Sequence, residues 1–261
     1  MNRRHFLTGA AAIGGVAGVI HVANPLYDRR NRRLRIALSS VVPNHLRAND
    51  LSALQDHLRQ QLSPRTKVSI EQVPSDWRRV NGLSDGTYDV VELGAIAGTV
   101  VTEADAAIPL VQPQLAGGWE YDGQLLVDNA FCSQPTETPW LAVKTPLSTA
   151  TQGALAAMST STTPPLRTRW HNQSPAAALS NEKIQFAASN TFDSPSDATV
   201  DRSYPLPVPS LYIRHSHPEI TELRSPFLSA EGGHMWYSDI RQEVQYGFVS
   251  GWFHDAEFII N

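Results

Sequence analysis

The chain holds a single cysteine, Cys132. One thiol excludes an intramolecular disulfide and a cysteine zinc cluster. Long apolar runs are also missing. The most apolar stretch near the amino terminus, Gly9 to Ala23, is rich in Ala and Gly and too short for a membrane span. Positive charge is not in excess: 21 Lys and Arg stand against 25 Asp and Glu, a net charge of −4. That balance leaves no electrostatic footprint for nucleic acid. Three signatures of hydrolytic or nucleotide chemistry are absent: Gly-x-Ser-x-Gly, His-Glu-x-x-His and Gly-x-x-x-x-Gly-Lys. Nucleophilic or metal hydrolysis thus has no sequence support, and the chain reads as a non-enzyme with no cofactor and no resident metal.

What is present fits a globular α/β protein. A chain of 261 residues with 41% hydrophobic and 18% charged content buries a sizeable core, in one large or two small domains. Eighteen prolines and many Ser and Thr residues predict long irregular connections. At the amino terminus, Asn2-Arg3-Arg4-His5-Phe6-Leu7-Thr8 resembles a twin-arginine export signal, with the apolar run behind it. Residues 1–23 are read as this signal and 24–33 as a linker, which places the protein in the periplasm or another extracytoplasmic space. His21-Val22-Ala23 is a poor small-x-small cleavage site. The segment is therefore either removed or retained as a membrane tether.

The chain is organised around Asp85-Gly86-Thr87-Tyr88-Asp89-Val90-Val91-Glu92-Leu93-Gly94. An Asp-Gly turn, a short apolar run with two β-branched valines and a terminal glycine predict a turn, a buried strand and a loop at the strand's carboxyl end. In open α/β sheets small ligands sit at such ends. Around it, residues 34–40 and 67–73 read as strands. Leu51, Leu54, Leu58 and Leu62 recur at helical spacing, and Ser63-Pro64 stops that helix. Ser75-Asp76 caps a short helix through Leu83. Val100 to Ala107 is expected to be helical, Ile108 to Val111 extended and Gln112 to Gly123 a crossover. A strand is expected from Gly123, a small-residue strand over Gly153 to Met158, and a helix from Leu166 that carries Trp170. Residues 175–181 read as helix, Lys183 to Ala188 as strand and 192–203 as loop.

This order resembles the first lobe of periplasmic substrate-binding proteins of ABC transporters, of the phosphate/phosphite/phosphonate type. In that family a Gly-x-x-Asp-hydrophobic segment ending in Gly-Pro follows the second strand and lines the cleft. Gly86, Asp89 and Gly94 match it, and Ala95 stands in place of the proline. Tyr204 to Ile213 resembles the family's proline-rich return to the first lobe. The resemblance implies a two-lobed α/β fold of the type 2 periplasmic-binding-protein class, each lobe a mixed sheet flanked by helices. Lobe 1 would comprise 34–115 and 210–261, lobe 2 residues 116–209. The function it implies is capture of a small oxyanion for an ABC permease or membrane sensor, by a monomer. A ligand-free interaction protein that keeps the fold is the other reading.

An oxyanion needs neutral donors that converge, and helix N-termini and hydroxyls supply them. The expected ligand contacts are Ser39 and Ser40 in lobe 1 and Ser159, Thr160, Ser161 and Thr162 in lobe 2. Gly94 and Ala95 line the cleft, Tyr121 walls it, and Asn190 ends a facing strand. Trp119 and Trp170 are further aromatic candidates for its walls. Glu92 would repel an anion; it either pairs within the protein or selects an amine. His215 and His217 have the spacing to share one strand face, but a metal site there would need a third and a fourth ligand, for which His234 or His254 are the candidates, and no further spacing supports it.

Overall fold

The structure is a computed structural model. It describes residues 32–39, 44–115, 120–128, 138–159, 167–171, 174–181, 184–191, 199–217, 220–230 and 235–238. Residues 1–23, expected to be an export signal, and most of the expected linker at 24–33 lie outside the described residues.

The first lobe opens with β1 (Arg32–Leu38) and α1 (Asn44–Gln61). Next come β2 (Thr66–Gln72), α2 (Asp76–Ser84) and β3 (Val90–Leu93). The first run ends with α3 (Ala95–Glu103) and β4 (Ala107–Leu115). The second lobe contributes β5 (Glu120–Val127), β6 (Trp140–Val143) and α4 (Thr149–Ser159). It continues with β7 (Arg167–Trp170), α5 (Ala176–Asn181), β8 (Phe186–Asn190) and β9 (Thr199–Pro207). The chain then returns through β10 (Ser210–Arg214), α6 (Ile220–Leu228) and β11 (Met235–Ser238).

Two mixed sheets result. One has the order β11-β4-β10-β3-β1-β2 and the other β7-β6-β8-β5-β9. In the first, β1 pairs in parallel with β2 and β3, while β10 runs antiparallel between β3 and β4. In the second, β6 is parallel to β7 and β8, and β5 is antiparallel to β8 and β9. Each sheet is apolar on both faces because helices cover both. Leu34, Ile36 and Leu38 of β1 point to the side of α1, where Leu54 and Leu58 pack with Phe227 of α6. Ala37, Val91 and Leu93 point to the other side, against Leu83 of α2 and Ala97 and Val101 of α3. In the second sheet, Leu141 and Val143 meet Ala154 and Met158 of α4, and Ala142 meets Ala176 and Ala178 of α5.

The Asp-Gly segment is a structural pin. The Asp89 carboxylate, 2% exposed, accepts from the Arg35 amide at 2.9 Å and faces the Arg35 and Arg214 guanidinium groups at 3.4 and 3.5 Å. Gly86 has φ +79°, the left-handed region, and its carbonyl accepts from the Arg35 guanidinium. Asp89 therefore ties β1, β3 and β10 together at the end of β3 away from Gly94.

Five expectations fail here. Gly153 to Met158 belongs to α4. Its Ala, Leu and Met residues are strong helix formers, and a short apolar run has no period to separate helix from strand. Arg167 to Trp170 is an edge strand paired with β6 over Trp140 to Val143, because its backbone finds partners in that ladder. Helix α3 starts at Ala95, directly after the organising strand, and Ala107 already begins β4. Gln112 to Leu115 extends β4 against β11, and β9 starts at Thr199, inside the expected loop.

Candidate functional site

The carboxyl ends of β1, β3, β6 and β8 face one another across a cavity of about 420 Å³. Lobe one supplies Ser39, Asp76, Arg79 and Gly94 to its wall. Lobe two supplies Tyr121, Lys144, Ser148 and Thr149, with Ser174, Ser189 and Asn190 beside them.

Two helices start there. Gly94 is the N-cap residue of α3, with φ −67° and ψ 166°, a conformation open to any residue. Glycine is needed for space: a Cβ at 94 would lie 2.4 Å from Thr149 Oγ1 at the start of α4. The N-termini of α3 and α4 thus abut, one from each lobe. Each carries roughly half a positive charge from its unpaired amides. The chain before α4 is a turn. Ser148 donates its amide to the Thr145 carbonyl at 3.0 Å, and its hydroxyl accepts from the Thr151 amide at 3.4 Å. Acting as a cap acceptor leaves that hydroxyl's proton available. Thr149 Oγ1 is buried and has no hydrogen-bond partner among the described residues, and Ser174 Oγ is in the same condition. Buried hydroxyls normally find partners, so two beside one cavity mark a place built for something else to bond.

Charge is arranged in the same space. Arg79, 2% exposed, donates to the Val73 carbonyl and to Asp76. The other oxygen of Asp76 accepts from Thr145 Oγ1 of lobe two at 3.5 Å. Tyr121 keeps its phenol proton, since burial pushes its pKa up and the Asp76 and Glu92 carboxylates add to the effect. The neutral phenol remains a donor. Leu147, 1% exposed, reaches out of the same turn into the lobe-one cluster beside Leu93, Ala97 and Tyr212. Burying one leucine contributes about 1.5–3 kcal/mol, so the turn also holds the lobes together.

Of the residues read from the sequence, Ser39, Gly94, Tyr121 and Asn190 line the cavity. Ala95 is buried at the first turn of α3. Glu92 is 3% exposed, and its Oε2 accepts from the Ser39 amide and hydroxyl, each at 2.6 Å. Ser159 ends α4, ten residues or about 15 Å along the helix from Thr149. A helix C-terminus carries partial negative charge and does not attract an anion. Ser40, Thr160, Ser161, Thr162, Trp119, His234 and His254 lie outside the described residues. Trp170 is 53% exposed on edge strand β7. His215 sits in the turn after β10, 2.8 Å from Asp105, while His217 is buried. Sequence reasoning missed Asp76, Arg79, Lys144, Ser148 and Thr149 as cavity residues. Thr145-Pro146-Leu147-Ser148-Thr149 ahead of an Ala-rich run is a helix-start signal that pointed to the lobe-two turn. Nothing local marks Arg79.

No family model and no curated protein sequence matches the chain. Solved structures do. The binding-protein component of an ABC phosphonate transporter from Pseudomonas aeruginosa superimposes with a TM-score of 0.66 at 15% identity, covering 86% of this chain and 88% of that one. A Prochlorococcus marinus protein in complex with methylphosphonate gives 0.63 at 12% identity, covering 85% and 97%. A Xanthomonas citri protein bound to chloride gives 0.61 at 16% identity, covering 85% and 99%. At such identities the likeness is one of fold. The chain has the two-lobed α/β fold of the periplasmic binding proteins, each lobe a mixed sheet flanked by helices.

Proposed function

We propose that the protein is an exported solute-binding protein, without catalytic activity, that captures a small oxyanion between its lobes. Phosphate, phosphite and phosphonates are the ligand class, and an ABC permease receives the ligand. The twin-arginine segment directs export. Residues 34–115 with 210–261 form one lobe and 116–209 the other.

The observation that carries this reading is the meeting of two helix N-termini, at Gly94 and Thr149, beside the bonding-deficient Thr149 hydroxyl. Partial positive charge and uncommitted donors are what an oxyanion requires. Arg79 and Lys144 add cationic charge against the Asp76 carboxylate. Closure follows from the same geometry. A ligand held by both N-termini bridges the lobes and favours the closed form by its differential affinity. Neighbours in fold that are described with phosphonate, methylphosphonate and chloride support an anionic ligand.

Thermal denaturation of the full chain with phosphate, phosphite, methylphosphonate and sulfate tests the reading. At 100 times its dissociation constant a ligand stabilises by about 2.7 kcal/mol, equivalent to a rise of about 5–10 °C. A rise with at least one oxyanion is expected. Unchanged melting with all four would overturn the assignment.

A further inference from the structure

Ser39 lines the cavity, yet its hydrogen-bond donors are turned away from any anion. Its amide and its hydroxyl both lie 2.6 Å from one atom, Glu92 Oε2. An amide N–H only donates, so Oε2 is an acceptor there, and the hydroxyl beside it donates as well. With its proton committed, Ser39 Oγ has lone pairs alone to offer the cavity. Ser39 and Glu92 are each 3% exposed, so water does not compete for that bond. Lobe two offers the opposite chemistry: Ser148, Thr149, Ser174 and Lys144 are donors. Building on the oxyanion reading, we propose that the Ser39–Glu92 pair makes the lobe-one wall select an oxyanion that carries an acidic proton over one that carries none. A hydrogen phosphonate or hydrogen phosphate donates its P–O–H to Ser39 Oγ. Sulfate and sulfonates have no proton to give and leave a buried acceptor unpaired, which lowers affinity. Ser39 is the specificity residue, and Glu92 is a positioning residue that acts through it.

Methylphosphonate and methanesulfonate test this by isothermal titration of the full chain at mildly acidic pH. There the two are monoanions of similar shape, and only the phosphonate keeps an O–H. Methylphosphonate is expected to bind at least about tenfold more tightly. Glu92→Gln keeps the preference, because its carbonyl oxygen still accepts from both Ser39 groups. Glu92→Met frees the Ser39 proton and brings the two affinities to within about twofold. Ser39→Ala, which leaves Glu92 in place, also collapses the ratio and keeps the test open if Glu92→Met fails to fold. Equal binding of the two anions by the unaltered protein, or a tenfold ratio that survives Ser39→Ala, would overturn the proposal and leave the oxyanion reading standing. Absence of binding by either anion would overturn both.

Discussion

At the carboxyl end of β1, Ser39 gives both its protons to Glu92; at the carboxyl end of β6, Thr149 has no partner among the described residues for its hydroxyl. Both positions follow a strand and face the same cavity, and both are serine or threonine. On one wall the donors are committed to a carboxylate of the same lobe and only lone pairs face the ligand; on the other the donors are uncommitted. Residue type therefore does not tell whether a hydroxyl can donate to a ligand. The nearest buried acceptor does. The difference also separates two costs. A wall with its donors committed is rigid and stable without ligand, whereas a buried hydroxyl lacking a partner costs the fold about 1–3 kcal/mol until a ligand bonds to it.

Asp76→Asn tests the lobe-one side most severely. It leaves Arg79 buried without its carboxylate, at an expected cost of about 3–5 kcal/mol in urea unfolding. Phosphate should recover more stability in this variant than in the parent, since it offers Arg79 another anion. Equal recovery would show that Arg79 does not meet the ligand. Leu147→Ala attacks the turn from lobe two that packs into lobe one. The loss expected from such a truncation is about 2–4 kcal/mol, and small-angle scattering of the ligand-free protein should report a larger radius. An unchanged radius would mean that Leu147 does not hold the lobes.

Thr149→Val breaks the comparison with a split sign. Removing the partnerless hydroxyl should leave the ligand-free protein as stable as before or more so, while oxyanion affinity falls about tenfold. A parallel fall in ligand-free stability would assign the hydroxyl to the fold instead. Ser159→Ala, at the far end of α4, should leave affinity within about twofold of the parent. The smallest effect is in pH. Burial lowers the His217 pKa and Arg214 lowers it further, against Asp89, which raises it. The unfolded chain therefore takes up its proton first as pH falls. Stability is full above the ordinary histidine range, about pH 6.5, and declines as pH drops from there through the lowered folded value. His217→Gln should flatten that decline in urea midpoints measured across the range.

Much of lobe one was legible because its signals are local. Leucines at 51, 54, 58 and 62 share a helix face, Ser75 caps α2, and Asp-Gly before two valines marks turn and strand. Tyr204 to Ile213, expected to return the chain to the first lobe, runs from β9 of one sheet into β10 of the other. Lobe two was harder. Gly153 to Met158 is a small apolar run whose state depends on what it packs against, and Gly153 sits where a Cβ would come within 2.5 Å of the Tyr204 ring. Reading α4 as a strand also hid its N-terminal turn at 144–149, which lines the cavity.

The sequence alone determined the class: an α/β chain with one thiol, no catalytic signature and glycine at the end of its organising strand. Composition and short-range periodicity suffice for that, because burial pattern and turn chemistry act within a few residues. Tertiary structure assembled the cavity and its hydrogen bonds. Glu92 is 53 residues from Ser39, and Thr145 is 69 from Asp76. Whether a hydroxyl gives its proton to the protein or keeps it for a ligand depends on acceptors brought close only by the fold, since a hydrogen bond acts over about 3 Å.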